Sequence, residues 1–498
     1  MKNSLIKEIP LEIKNILKKL QEAGYQAYIV GGCVRDLLLK RKPKDWDITT
    51  NAKPEEIQKL FPESVYENQF ATIGVKTNSQ DPTLKIVEIT TFRKEGKYSD
   101  KRHPDFITFA QTIEEDLSRR DFTINAIALK IDFNKKNKEE IIDPFNGYKD
   151  LKQKIIKAVG DPDTRFQEDA LRLMRAIRFA CELNFKIEEK TLSSISKNAT
   201  LLKYISFERI RDEFTKIILT EKASEGILLL QKTGLLKFFL KELEEGIGIT
   251  QNKHHIYTVF EHLWRSLDYA AKKNYSLEIR LASLFHDIGK PKTKQGEGKD
   301  ATFYNHEIVS AKMARNILKR LKFDKKTSEK VLKLIRYHGF VYDPEITTDS
   351  AIRRLILKVG KENIFDLAKV READRIGSGC PKAVPFRLRH FLFRVEKILK
   401  EISDEQPSLK ILKVNGYDVM EVLKIPPSKK VGYILNILLE EVLDDPQKNE
   451  RNYLVEEIKK LGQLSEEELK KKQEKAQEKY KALLLEEEEK LKRKHKIT

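Results

Sequence analysis

The chain has 498 residues, with 96 Lys and Arg against 77 Asp and Glu, a net charge of +19 and a sequence pI near 9.4. That length exceeds what one hydrophobic core holds and implies about three or four domains, and so basic a protein points to a polyanionic partner, nucleic acid first, with bare solubility as the alternative. Cys33, Cys181 and Cys380 are too few and too scattered for a disulfide framework or a Cys-ligated zinc site. The sequence also lacks a membrane-length apolar stretch and a signal-peptide core, so a reducing, cytoplasmic setting without a membrane partner is expected.

Taken in chain order, Tyr28-Ile29-Val30 reads as a strand entering the pair Gly31-Gly32, and residues 34–39 as a helix. A glycine turn at a helix start brings backbone N–H groups close to phosphate, and Arg35 offers a forked donor to the same group. Asp45 and Asp47 follow at i and i+2, which on a strand places both carboxylates on one face. Such a pair suits Mg²⁺ holding a nucleoside triphosphate, although an isolated Asp-x-Asp is more often a solvated strand end. Residues 71–77 and 84–92 read as strands. In the second, alternation sets Ile86, Glu88 and Thr90 on one face, making Glu88 a candidate third carboxylate or an exposed edge glutamate. Residues 95–104 are polar and read as a flexible loop.

Arg119-Arg120-Asp121-Phe122-Thr123-Ile124-Asn125-Ala126 collects donors and an acid suited to phosphate and sugar, or to an ordinary helix start. Beyond Asp161 the pattern turns helical and stays so, with stripes over 170–183, 207–219 and 223–230. In the run from Glu168 to Phe179, which includes Arg175 and Arg178, Asp169 and Arg172 stand at i and i+3 and would lie side by side on a helix. There Asp169 can accept from the exocyclic amine of cytosine or adenine while Arg172 donates to the ring nitrogen. Uracil and guanine present the reverse order and would be rejected. The alternative is a plain surface ion pair.

Further on, His262, His286-Asp287 and Asp374 supply mixed nitrogen and oxygen donors for a divalent metal. Lys429 and Lys430 stand near a helix start where phosphate contact is possible. From about Ser465 the Glu/Lys-rich chain reads as an exposed or partner-seeking helix.

The ordered motifs resemble class II tRNA nucleotidyltransferases, the CCA-adding enzymes of bacteria. They are Gly31-Gly32-x-Val34-Arg35-Asp36, Asp45-x-Asp47, Arg119-Arg120-Asp121-Phe122-x-x-Asn125-Ala126, Asp143-Pro144-Phe145-x-Gly147, Glu168-Asp169-x-x-Arg172 and Ser206-Phe207-Glu208-Arg209-Ile210. The resemblance implies an α+β chain: a small polymerase-β-like head with a mixed sheet, then all-α neck and body, HD and tail domains. The boundaries it suggests are 1–157 for the head, 158–245 for neck and body, 246–400 for the HD domain and 401–498 for the tail. It implies Mg²⁺-dependent transfer of CMP and AMP from CTP and ATP to a tRNA 3′ end. Asp45 and Asp47 would hold the metal and carry catalysis. Gly32, Arg35, Arg120, Asp121, Asn125 and Arg175 would contact the nucleotide, and Asp169 and Arg172 would select its base. Glu88, Glu168, Arg178 and Arg209 are further candidates.

The His, His-Asp, Asp order resembles the HD phosphohydrolase superfamily. That implies a divalent ion (Mn²⁺, Ni²⁺, Co²⁺ or Mg²⁺) on His262, His286, Asp287 and Asp374, with His306 and His338 where some members bind a second metal. A-adding enzymes and poly(A) polymerases share the head motifs and stay open. So do a metal phosphohydrolase with an RNA-binding head and an RNA chaperone without chemistry. The oligomeric state is left undetermined by the sequence.

Overall fold

The computed structural model describes residues 5–68, 72–96, 106–133, 138–252, 256–403 and 412–497. The chain divides into two compact units, residues 1–338 with 373–381, and residues 339–372 with 382–498.

The first unit opens on a seven-stranded sheet. Its strands are β1 (Ala27–Val30), β2 (Asp47–Thr50), β3 (Ser64–Asn68), β4 (Thr72–Lys76) and β5 (Ile86–Thr91), then β8 (Ala128–Asp132) and β9 (Lys138–Ile142). Between them β6 (Arg93–Glu95) and β7 (Ile107–Phe109) form a separate hairpin. The spatial order is β3-β4-β5-β2-β1-β8-β9, with β2 and β5 parallel and the other neighbours antiparallel. The wholly apolar Ala27-Tyr28-Ile29-Val30 is buried throughout and occupies the middle, as a strand covered on both faces must. β5 alternates as expected: Val87 and Ile89 are buried, while Ile86 and Glu88 are exposed on the other face.

Two local readings need correction. Asp45 is not on a strand: β2 begins at Asp47, and Asp45 sits in the bend before it. The helical stripe expected from residue 170 starts only at Arg172, because Asp169 adopts extended dihedrals (φ −127°, ψ 106°) between the helices Pro162–Glu168 and Arg172–Leu183. A two-stranded parallel patch, β10 (Ile155–Ile156) with β11 (Lys186–Ile187), also interrupts the helical region. Of the loop expected over 95–104, Glu95 ends β6 and residues 97–104 lie outside the described residues.

Helices Phe207–Ile218 and Ala223–Lys232 lead into the bundle of Val259–Lys272, Leu277–Phe285, His306–Arg320 and Lys325–Tyr337. Arg280, 1% exposed, ties the two regions together. Its Nη1 donates to the Ile218 and Thr220 carbonyls, each at 2.8 Å, and its Nε to Tyr275 O at 2.8 Å. These contacts supply the acceptors a buried guanidinium needs.

The second unit is helical. Val419, Ile434, Leu438, Leu454, Ile458 and Leu469 form its core. The Glu/Lys-rich end forms the helix Glu466–His495, capped by Ser465, and Glu396 of the same unit accepts from Lys494 at 2.8 Å. Lys430 donates to the Gly462 and Leu464 carbonyls, both at 2.8 Å, so it closes a helix C-terminus. Among the described residues no helix is long and apolar enough to cross a membrane.

Candidate functional site

The motifs of the first half converge on one cleft of about 1290 Å³. Its lining includes Gly31, Gly32, Arg35, Asp45, Asp47, Glu88, Arg120, Asp121, Asn125, Asp169, Arg172, Arg175, Arg178 and Arg209.

One wall is the carboxylate corner. Gly31 has φ +80° and caps the helix Gly32–Leu38. A Cβ at Gly31 would lie 3.0 Å from Arg120 Nη1 and 3.4 Å from Asp47 Oδ2, and one at Gly32 would lie 3.9 Å from Asp45 Oδ1. Both carboxylates therefore face the glycine turn although only Asp47 is on the strand. Glu88 is the register partner of Asp47 on the parallel strand β5 and points to the same face. Burial, with Asp45 adding repulsion, pushes the Asp47 carboxyl up to about 6, against the pull of Arg120. Carboxylates crowded in this way fit a divalent cation. Arg120 Nε is buried without a hydrogen-bond partner, a donor available to an anion beside them.

Behind this corner runs a chain of charge. Arg35 Nη1 donates to Asn125 Oδ1 at 2.9 Å, and Asn125 Nδ2 to Asp121 Oδ1 at 3.1 Å. Arg175 closes on Asp121 Oδ2 through Nε at 2.8 Å and Nη2 at 2.7 Å. Burial alone would raise the Asp121 carboxyl, but Arg175, Asn125 and Arg172 overcome it and hold it down to about 2. Asp143 accepts from the Gly147 and Tyr148 amides at 2.7 and 2.9 Å. Gly147 in turn packs so tightly that a Cβ would lie 2.0 Å from Thr123 O, which fixes the turn carrying Asn125.

The opposite wall carries Asp169 and Arg172, and they are not a helical i, i+3 pair. Arg209 Nη2 and Nη1 reach the two Asp169 oxygens at 3.1 and 3.4 Å, and Leu171 N donates to Oδ1 at 3.0 Å. Arg172 donates to Glu168 Oε2 at 2.6 Å, Arg165 O at 3.2 Å and Arg119 O at 3.0 Å. Each member of the pair is thus held by other residues. Arg178 bonds Glu213 at 2.6 Å and Glu182 at 2.7 Å, tying the helices Arg172–Leu183 and Phe207–Ile218 together.

Sequence reasoning missed Asp116. It is fully buried, accepts from Arg119 Nε at 3.0 Å and lies 3.5 Å from Arg120 Nη2, so it anchors both arginines. Its spacing of i, i+4 to Arg120 was the available signal.

The second centre draws His262, His286, Asp287, His306, His338 and Asp374 from the helical bundle. His262, His286, Asp287 and Asp374 form one group, and Asp287, His306 and His338 a second that shares Asp287. Nδ1 of His286, His306 and His338 donates to the Ser283, Phe303 and Ile335 carbonyls at 2.9, 2.8 and 2.7 Å. A carbonyl only accepts, so these bonds fix the tautomer and turn each Nε2 lone pair inward. His262 Nε2 and His286 Nε2 lie 2.8 Å apart. Without a metal, burial lowers the His262 pKa, whereas at His286 Asp287 overcomes burial and raises it to about 9. Asp287 Oδ1 is buried without a hydrogen-bond partner, 3.2 Å from His306 Nε2 and 3.4 Å from His338 Nε2. Converging imidazoles and an orphan carboxylate oxygen fit a divalent metal on either side of Asp287. Lys290 Nζ, 2.6 Å from Asp287 Oδ2 and 2.7 Å from Gln251 Oε1, balances the carboxylate and had no assigned role in the sequence.

Three family descriptions match: "Poly A polymerase head domain" over residues 27–157, "Probable RNA and SrmB- binding site of polymerase A" over 184–247, and "HD domain" over 259–377. The CCA-adding enzyme of Lactobacillus delbrueckii subsp. bulgaricus is 48% identical over 236 residues, 47% of this chain, and the match spans 57% of that relative. The CCA-adding enzyme of Ligilactobacillus salivarius is 33% identical over 92% of this chain and 98% of its own length. Among solved structures, the CCA-adding enzyme of Bacillus stearothermophilus in complex with CTP superposes with a TM-score of 0.58 at 28% identity, covering 91% of this chain and 98% of that one. Its motifs, its fold and its near full-length match to a relative together show that the chain belongs to the CCA-adding enzyme family of nucleotidyltransferases.

Proposed function

We propose that the protein completes tRNA 3′ ends, transferring CMP and AMP from CTP and ATP without a nucleic-acid template. The observation that carries this reading is the pairing, across one cleft, of a carboxylate corner at a glycine turn with Asp169 and Arg172. The tRNA 3′-hydroxyl attacks the α-phosphorus and gives up its proton to solvent, the bond from that phosphorus to the β-phosphate bridge breaks, and pyrophosphate leaves. Mg²⁺ held by Asp45 and Asp47, with Glu88 beside them, would supply charge stabilisation at the reacting phosphate. The Gly31-Gly32 turn admits the triphosphate close to backbone, Arg120 donates to it, and the Arg35–Asn125–Asp121–Arg175 chain holds the cleft wall against the sugar. Asp169 and Arg172 read the base edge, each kept in place by a neighbour: Arg209 for Asp169 and Glu168 for Arg172.

Relatives bearing the CCA-adding name support this over the poly(A) and A-only alternatives. Asp45→Asn and Asp47→Asn are each expected to abolish incorporation while tRNA still binds in a filter assay. Incorporation at the wild-type rate in either variant refutes the two-carboxylate reading.

A second activity is favoured by the orphan Asp287 oxygen among inward-facing imidazoles: hydrolysis of a phosphate ester at the HD centre. Mn²⁺, Ni²⁺, Co²⁺ or Mg²⁺ on those ligands would supply Lewis-acid activation of water and phosphate. The protein's own contribution is to present four imidazoles and two carboxylates already oriented, with Lys290 offsetting the charge of Asp287.

A further inference from the structure

The helical hairpin His306–Arg320 and Lys325–Tyr337 gives the HD centre only His306 at its start and His338 just past its end, and the rest of it is strongly basic. Residues 306–338 hold ten basic and three acidic residues, net +7 of the chain's +19 in 33 positions. Met313, Ala314, Ile317, Leu318, Val331, Leu334 and Ile335 turn inward and are buried. Lys312, Arg315, Lys319, Lys322, Lys325, Lys326, Lys333 and Arg336 are exposed, against only Asp324 and Glu329 among exposed acids. Lys312, Arg315 and Lys319 fall at i, i+3 and i+7, one helix stripe spanning about 10 Å. Asp324 caps the second helix through Thr327 N, and Glu329 stands 3.9 Å from Lys325, so neither neutralises that stripe.

Both ends of the hairpin meet at the HD centre. His306 opens its first helix and His338 follows its second. His306 is also the accessible edge of the cluster, with its side chain 19% exposed while those of His262, His286 and His338 are at 0–3%. Two residues either side of His306, Tyr304 is 71% exposed and Ile308 47%. A cationic track ending on an exposed aromatic is the pattern that binds single-stranded nucleic acid, with lysines on the backbone and the ring under a base.

We propose that the outer face of this hairpin binds the sugar-phosphate backbone of RNA and delivers a phosphate-bearing RNA end to the Asp287 cluster. The delivery half rests on the hydrolase reading of that cluster; the RNA surface does not. The test uses the full chain and a variant carrying Lys312→Gln, Arg315→Gln, Lys319→Gln, Lys326→Gln and Lys333→Gln, all on exposed side chains. Binding of a single-stranded oligoribonucleotide is measured against salt, and the slope of log affinity on log salt is expected to flatten by about 3. An unchanged slope assigns the ridge to another partner, such as an acidic protein, and overturns the proposal. With Mn²⁺ present, release of phosphate from a 3′-phosphorylated oligoribonucleotide is compared with hydrolysis of p-nitrophenyl phosphate. Tyr304→Ala is expected to lower the oligonucleotide-to-small-ester efficiency ratio by roughly 10-fold. An unchanged ratio overturns delivery. If wild type hydrolyses neither ester, delivery falls together with the hydrolase reading, and the salt slope still decides the RNA surface.

Discussion

Arg209→Ala separates holding the carboxylate proposed to read the base from merely lining the cleft. Arg209 reaches both Asp169 oxygens, at 3.1 and 3.4 Å, from a helix that is distant in sequence. Because Asp169 sits in the extended break after Glu168, no helical turn fixes its direction. Without Arg209 the hydrogen bond left to its side chain among the described residues is from Leu171 N, and that bond tolerates rotation of the other oxygen. A hydrogen bond to a charged group is worth about 1.5–3 kcal/mol. Both side chains are partly exposed, 25% and 17%, so the low end of that range applies. At about 1.4 kcal/mol per decade, losing the clamp corresponds to roughly 10-fold weaker discrimination between cytosine and uracil. The assay is kcat/KM for CTP and for UTP on a tRNA lacking its last three nucleotides, with circular dichroism to show that the fold persists. The ratio should fall, mostly through rising UTP use. If CTP and UTP efficiencies drop by the same factor, Arg209 supports the cleft as a whole and the clamp reasoning is wrong.

The burial-raised Asp47 carboxyl, at about 6, favours its protonated form below that pH, and Mg²⁺ binds the ionised form. Incorporation at sub-saturating Mg²⁺ should therefore rise as pH passes upward through about 6 and shift to lower pH with excess Mg²⁺; a flat profile from pH 5 to 7.5 contradicts this. Gly31→Ala should cost about 1–3 kcal/mol for an alanine at φ +80° and ψ −138° and crowd Arg120, seen as a lower melting temperature and a raised KM for CTP; wild-type values of both would count against the tight turn. Asp287→Ala leaves the Lys290 ammonium buried with Gln251 as its hydrogen-bond partner, a loss of about 3–5 kcal/mol for a broken buried pair. Calorimetry should show Mn²⁺ binding abolished and the metal-free protein melting earlier, and unchanged Mn²⁺ affinity would remove Asp287 from the metal site.

Much of the site was legible because its residues lie in short runs with their own local geometry. Gly31-Gly32 and the alternation of β5 predicted where Asp47 and Glu88 would face. The misplacement of Asp169 has a local cause: the helix Pro162–Glu168 ends one residue earlier, and Arg172 N donates back to Asp169 O at 3.0 Å as a new helix begins. Periodicity over residues 170–183 cannot register such a break, because the apolar spacing continues across it. The partners of the motif residues were not legible for a different reason. Arg209 to Asp169 and Glu213 to Arg178 are contacts across 40 and 35 positions, created only when the two helices pack. The pairing of His306 and His338 around one Asp287 oxygen likewise depends on three chain segments meeting.

The most direct test of the account is to incubate the protein with Mg²⁺, labelled CTP and ATP, and tRNA ending before its CCA, and to size the product. Addition of C, C and A followed by arrest is the predicted result. A long adenylate ladder, AMP added only to a CC-ended tRNA, or no addition at all would contradict it.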